Sequence, residues 1–221
     1  MDGNGSDRAA RLRREMVERQ IAARGVTDPR VLAAFGAVER HRFVPEATLE
    51  DAYADRPIGI GFEQTISQPF IVAAMLERLR IRPGDRVLDV GTGSGYQAAL
   101  LAELGADVDS IEVIPELFES ARVRLPRGVR CHLGDGALGW PERAPFDAIV
   151  LAAAPAALPA PLLAQLAIGG RLIAPIGVDQ QQLELFTRSA DGVRRESLYP
   201  VRFVPLTRPA SSREDDSREW T

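Results

Sequence analysis

Three glycines separated by single residues, Gly91, Gly93 and Gly95, carry the most chemistry in this 221-residue chain. They lie in the run RVLDVGTGSGYQAAL (86–100), where an apolar strand over 87–90 gives way to an apolar helix from about Tyr96. Glycine takes the dihedrals of a tight strand-to-helix turn and lets a ligand approach the main chain. The helix start adds free N–H groups and a positive dipole end. Such a turn holds a nucleotide-like cofactor against backbone. The dinucleotide fingerprint is GxGxxG, and its third glycine position is Tyr96 here, so the pattern present is GxGxG.

Two acidic strand ends narrow the choice. A second strand, 108–112, ends in Glu112, whose carboxylate can accept hydrogen bonds from both hydroxyls of a ribose. That need is common to NAD and S-adenosyl-L-methionine. A third strand, 129–133, runs into Gly134, Asp135 and Gly136, which places a carboxylate where an adenine amino group could donate to it. Adenosylmethionine has no pyrophosphate to seat on the helix end. The glycine turn with both acids therefore favours adenosylmethionine over a dinucleotide. Asp89, within the first strand's end, either orders the glycine loop, approaches the methionine amine or makes a local contact with the loop backbone.

Other chemistry is sparse. Cys131 is the single cysteine, so neither an intramolecular disulfide nor a cysteine metal cluster is expected. His41 and His132 are the only imidazoles, neither has metal-site spacing, and both read as structural. Trp140, between Gly139 and Pro141, reads as a loop anchor. All 27 basic side chains are arginines, and the formal charge of -4 argues against a general grip on nucleic acid. No stretch approaches the roughly 20 apolar residues of a membrane span, and the start lacks a signal-peptide core, so a cytoplasmic protein is expected.

The elements that must position these groups alternate. After the glycine turn come strand 108–112, helix 115–125, strand 129–133, strand 146–152, helix 160–166 and strand 171–175. Strands alternating with helices imply a parallel sheet covered on both faces. Residues 181–188 and 194–206 are strand-like about a turn at Ala190, Asp191 and Gly192, so an antiparallel pair is expected to finish the sheet. Upstream, residues 1–7 are expected to be loose, and 8–24 carry Leu12, Met16, Val17 and Ile21 at near-helical spacing up to Gly25. Thr27, Asp28 and Pro29 mark a second helix start. Residues 8–50 thus read as a small helical subdomain, 51–206 as the cofactor domain with a structured loop at 57–69, and 207–221 as a disordered tail. Pro69 is expected to open the helix that precedes the glycine strand.

The motifs MVERQI (16–21), RHRFVP (40–45), QTISQP (64–69), VLDVGTGSGYQAA (87–99), SIE (110–112), GDGALGWPERAPFDAI (134–149) and GGRLIAPIG (169–177) occur in this order. On these the chain resembles the protein-L-isoaspartate (D-aspartate) O-methyltransferases over about 16–206. The resemblance implies a doubly wound, mainly parallel seven-stranded Rossmann-like methyltransferase sheet with an N-terminal helical addition and C-terminal antiparallel strands. It implies methyl transfer from S-adenosyl-L-methionine, leaving S-adenosyl-L-homocysteine, to the free carboxylate of L-isoaspartyl and less well D-aspartyl residues in damaged proteins and peptides. No metal, nucleic acid or membrane enters, and a monomer is expected. By the family's pattern Ser67 meets the substrate carboxylate, with Gln64, Thr65 and Ile66 beside it. Asp89, Gly91, Thr92, Gly93, Ser94, Gly95, Glu112, Val113, Gly134, Asp135 and Gly136 surround the cofactor.

Three positions depart from that pattern: Glu63 where glycine often precedes QTISQP, Val113 where arginine is common, and Ala152 where threonine is common. A carboxylate at 63 would repel an anionic substrate unless it points away. Rival readings are a methyltransferase of the same scaffold acting on another carboxylate, a small molecule or RNA, and a non-catalytic adenosylmethionine- or peptide-binding module. A dehydrogenase is disfavoured by the missing third glycine.

Overall fold

In the computed structural model, which describes residues 3–209, seven strands form one sheet. In chain order they are β3 (Arg86–Val90), β4 (Asp107–Glu112), β5 (Arg130–Leu133), β6 (Phe146–Leu151), β7 (Leu166–Ile176), β8 (Gln181–Ser189) and β9 (Gly192–Val201), lying in the spatial order β5-β4-β3-β6-β7-β8-β9. The pairs from β5 to β7 are parallel, while β7–β8 and β8–β9 are antiparallel. Strand order reverses at β3: the chain first moves outward through β4 and β5, then returns to place β6 on the other side. The crevice at the carboxyl ends of β3 and β6 is therefore the topological switch point, where open sheets of this kind bind ligands.

The pleat sends neighbouring residues to opposite faces. Val87 joins a core with Met75, Leu100 and Val108, whereas Leu88 joins a second core with Ile111, Ile149 and Leu162. Both faces being covered explains why these strands are almost continuously apolar. Fully burying a side chain such as Leu88 or Leu100 contributes about 1.5–3 kcal/mol, so this double core fixes the sheet that carries the site. The first face is covered by α4 (Pro69–Leu79) and α5 (Tyr96–Glu103), the second by the short α7 (Ala160–Ala164); α6 (Pro115–Arg122) packs on β4 and β5.

The N-terminal helices share the first core rather than making one of their own: Ala9, Met16, Ile21, Val31 and Phe35 cluster with residues of α4 and α5. Helix α1 (Gly3–Glu15) begins within the segment expected to be loose. Buried Ala9 and an ion pair from Arg8 to Glu50 anchor it, and helix propagates outward from that anchor despite the glycines. The expected single helix over 8–24 is instead α1, a π-helical stretch Met16–Ile21 and a 3-10 turn Ala22–Arg24, ended by Gly25 at φ 99°. Asp28 caps α2 (Pro29–Ala37), its carboxylate accepting from Arg30 N at 2.8 Å. A further short helix, α3 (Leu49–Ala52), is capped by Thr48.

The loop at 57–69 contains a hairpin, β1 (Ile58–Gly61) with β2 (Gln64–Ile66). Its two-residue turn is Phe62 and Glu63, both at positive φ (54° and 58°). At the other end, the strand expected over 194–206 stops at Val201. Pro205 has no N–H to donate to a ladder, and the segment after β9 crosses the sheet's carboxyl edge as a strap held to Ala154. Ala154 N donates to Val204 O at 2.8 Å and Leu206 N to Ala154 O at 2.9 Å. Residues 207–209, expected in a disordered tail, continue this strap; 210–221 lie outside the described residues.

Candidate active site

The turn after β3 is built on glycines in the left-handed region, Gly91 at φ 96° and Gly95 at φ 91°, where an L side chain is strained. Gly91 N and Thr92 N both donate to Ile111 O, at 2.9 and 3.0 Å, which pins the turn to β4. Glu112 completes the link. One carboxylate oxygen accepts from Gly93 N at 2.7 Å, and the other from Val113 N at 2.9 Å and Ile114 N at 3.0 Å. The loops after β3 and β4 thus share one buried anion.

Between them lies a slot lined by Gly91, Gly93, Glu112, Val113, Gly136 and Ala152. A Cβ on Gly136 would stand 2.6 Å from Val90 Cγ1, and one on Gly93 3.3 Å from Ile60 Cδ1. Backbone therefore forms its walls where side chains would fill it. The slot encloses about 50 Å³, well under the several hundred Å³ usual for a small-molecule site. The strap bounds it, with Val204, Pro205, Leu206 and Thr207 along one side. Asp135 stands at its margin. Asp135 Oδ1 accepts from Ala137 N at 2.9 Å, and Oδ2 from Arg208 Nε at 3.1 Å, so the strap's arginine occupies the carboxylate expected to meet adenine.

Asp89 and Thr92 face inward, away from the slot. Asp89 is fully buried and accepts from Gln97 Nε2 and Ser110 Oγ, each at 2.7 Å. Ser110 Oγ in turn lies 2.6 Å from Thr92 Oγ1. Burial pushes the Asp89 carboxyl up to about 6 against the pull of its two hydrogen bonds. This chain of side chains stiffens the turn from beneath, as a packed interior with satisfied polar groups does. Ser94 faces a separate hollow beside Ile58 and Leu117.

A second cavity, about 400 Å³, opens beside the hairpin and is lined by Thr65, Ser67, Gln68, Ala152, Arg202 and Val204, among others. Thr65, Ala152 and Val204 line the slot as well, so the two spaces share a wall. Among the described residues the Ser67 hydroxyl has no hydrogen-bond partner. Its carbonyl accepts from Arg40 Nη2 at 2.8 Å. Ile66, expected beside the substrate, is 4% exposed and belongs to the core; strand alternation turns it inward between Thr65 and Ser67.

The model of the protein-L-isoaspartate(D-aspartate) O-methyltransferase (PCMT) family matches residues 11–211. The chain belongs to that family. A protein-L-isoaspartate O-methyltransferase of Gloeobacter violaceus is 54% identical over 199 residues, 87% of this chain and 97% of the relative. One from Methanoculleus marisnigri is 52% identical, with 91% and 94% covered. Among solved structures, a protein-L-isoaspartate O-methyltransferase superposes with TM-score 0.80 at 28% identity, covering 88% of this chain and 66% of that longer one. A Plasmodium falciparum protein described as a beta-aspartate methyltransferase, in complex with S-adenosyl-L-homocysteine, gives 0.77 at 26% identity, with 91% and 99% covered.

Within this isoaspartyl methyltransferase family member, the remaining sequence candidates are structural. His132 bonds Asp109 at 2.8 Å and stacks on Trp140 with ring centroids 4.0 Å apart, which anchors the loop after β5. Burial raises the Asp109 carboxyl, but hydrogen bonds from Arg130 and His132 more than offset it and hold the group below the usual carboxylate range. His41 contacts Tyr53 at 2.8 Å. Burial pushes the Cys131 thiol up to about 11, away from the thiolate form that a nucleophile needs. Among the described residues no three His, Cys, Asp or Glu side chains group as a metal site.

The site holds two features that the sequence expectation did not include. Arg40 is fully buried, and RHRFVP gave no sign that its guanidinium would hold the carbonyls of Ala52 and Ser67. The strap occupies residues expected as strand, and Pro205 is the residue that opposes a ladder there.

Proposed function

We propose that Ser67 receives the free carboxylate of an L-isoaspartyl residue on the cavity side of the shared wall, while Glu112, the glycine turn and the loop 134–136 hold S-adenosyl-L-methionine on the other. The enzyme is a protein-L-isoaspartate O-methyltransferase. The observation that carries the reading is that wall: Thr65, Ala152 and Val204 line both spaces, so a carboxylate at Ser67 and a group in the slot are next to each other.

When bound, S-adenosyl-L-methionine supplies an electrophilic methyl on sulfur. The free carboxylate of an isoaspartyl residue is an α-carboxyl, with a reference pKa of about 3.3–3.7, so it arrives ionised and no general base is required. That matches a slot and cavity lined by no histidine; His41 and His132 bond Tyr53 and Asp109 elsewhere. The protein's work is alignment and exclusion of water, and good alignment lowers such barriers by up to about 7–11 kcal/mol in favourable models. Ser67 Oγ donates to one carboxylate oxygen and leaves the other to react. Arg202, an exposed cation on the cavity rim, favours an anionic residue there. The following main-chain nitrogen then attacks the methyl ester, methanol leaves, and the resulting succinimide hydrolyses in part to normal aspartate. D-aspartyl residues are poorer substrates.

We infer a monomer acting in the cytoplasm on damaged proteins and peptides, without nucleic acid; among the described residues no helix is long and apolar enough to cross a membrane. The test is base-released methanol from methyl-labelled S-adenosyl-L-methionine with two matched peptides. Label on the isoaspartyl peptide and none on its aspartyl twin is expected. Ser67→Ala is expected to lower turnover about 10–100-fold with cofactor affinity unchanged. A defect confined to cofactor binding overturns the role of Ser67, and label on neither peptide overturns the substrate.

A further inference from the structure

At the opposite edge of the sheet, by the amino end of β3, six arginines converge. Arg30, Arg78, Arg80, Arg82, Arg171 and Arg194 line a groove of about 750 Å³ between the end of α4 and the faces of β8 and β9. Three carboxylates share it, and none neutralises the centre. Glu77 is taken up by Thr27 N at 2.6 Å, Thr27 Oγ1 at 3.3 Å and Asp28 N at 2.8 Å. Asp28 caps α2. Glu196 pairs with Arg78 and, at 3.8 Å, with Arg194.

Arg80, Arg82 and Arg171 are left without an acidic partner among the described residues. Arg171 is half-buried and locked, its Nη1 donating to Arg78 O at 3.0 Å. Burial first, and then the charges of Arg80, Arg194, Arg78 and Arg82, hold its guanidinium below the ordinary arginine value. Arg80 ends α4 at φ 54°, a left-handed cap that glycine or asparagine usually fills. Like charges gathered in a concavity repel one another, and an anion bound among them removes that repulsion.

We propose that this groove is a binding site for a small polyphosphate anion. Guanidinium forks match phosphoryl oxygens in geometry as well as charge. The volume exceeds what a single phosphate fills and suits a chain of a few phosphoryl groups. No aromatic side chain lines the groove to stack a base, and the whole chain carries a net charge of -4. Both favour a short, compact polyanion over a nucleic acid strand. The site lies across the sheet from the glycine turn, so occupancy does not require the methyl-transfer residues.

The test is calorimetric titration of the full chain with inorganic tripolyphosphate at roughly physiological ionic strength. One equivalent is expected to bind, and the double variant Arg80→Gln/Arg82→Gln, both exposed positions, is expected to weaken it about tenfold or more. Its melting temperature without ligand and its methyl transfer to the isoaspartyl peptide stay at parental values. No binding, equal binding by the variant, equal binding of citrate, or tighter binding of single-stranded DNA each overturns the proposal.

Discussion

Arg40 Nη2 donates to the carbonyl oxygen of Ser67 at 2.8 Å while Arg40 Nε donates to Ala52 O at 2.9 Å. One buried side chain thus ties the segment before the hairpin to the residue that follows it. Its guanidinium lies 4.9 Å from the Tyr96 ring centroid, at the start of α5. The cofactor turn, the hairpin and the N-terminal helices therefore meet at a single fork.

Arg40→Lys keeps a cation and loses the planar fork, so one carbonyl goes unsatisfied in the interior. A stability loss of about 1–3 kcal/mol is expected, read by chemical denaturation. Because Ser67 is positioned through its carbonyl, KM for the isoaspartyl peptide should rise while adenosylhomocysteine affinity stays near parental. Equal loss of both would assign Arg40 a purely structural role.

Asp135 and Arg208 make a second test. The slot encloses about 50 Å³ with the strap along one side and Arg208 bonded to Asp135, and a nucleoside-sized group is expected to displace both. Arg208→Ala is expected to speed cofactor association in stopped-flow fluorescence. Asp135→Ala should instead weaken equilibrium affinity by about tenfold, measured by calorimetry.

Glu63 occupies a turn position at φ 58°, which is disfavoured by roughly 1–2 kcal/mol for a residue with a Cβ. Glu63→Gly should therefore stabilise the chain by up to about 1 kcal/mol, less than the full penalty because glycine also loosens the unfolded state. The side chain is exposed, and it stands directly before Gln64, the first residue of β2. Removing it should also lower KM for an anionic peptide, more so at low salt; an unchanged KM at all salt concentrations would show that Glu63 points away from the approach.

Asp89 should leave a mark on the pH dependence of stability. Its folded carboxyl titrates at about 6, above the unfolded reference near 3.9. The folded state therefore holds this proton more tightly. The stabilisation is complete below about pH 4 and is lost as pH rises to about 6, a swing of about 3 kcal/mol if the group acts alone. Asp89→Asn removes the titration, so the parent-minus-variant difference in melting temperature should fall across that window and level off above it. A flat difference would mean that Asp89 is ionised throughout.

The sheet, the glycine turn and the acids at 112 and 135 were legible because local signals coincide there: apolar runs, glycines at fixed offsets and a carboxylate ending each strand. Arg40 was not legible, because its partners are carbonyls 12 and 27 residues away and carbonyls leave no trace in residue type. The start of α1 was hidden for a similar reason. Gly3 and Gly5 oppose helix locally, and tertiary anchoring at Ala9 overrides them. The hairpin turn was obscured because Phe62 and Glu63 stand where turn chemistry calls for glycine or asparagine. In Ile66 the motif and the pleat disagree: QTISQP is one block in sequence, yet alternate residues of it face the cavity and the core.

The wall shared by the two cavities consists of Thr65, Ala152 and Val204, all short side chains. The last two sit beside main-chain hydrogen bonds, Ala152 N to Val90 O at 2.8 Å and Ala154 N to Val204 O at 2.8 Å. Its thickness is set by peptide geometry more than by rotamers. A catalyst that must hold two groups at one separation needs a ruler rather than a key, and a ruler made of backbone keeps its length while the surrounding side chains drift.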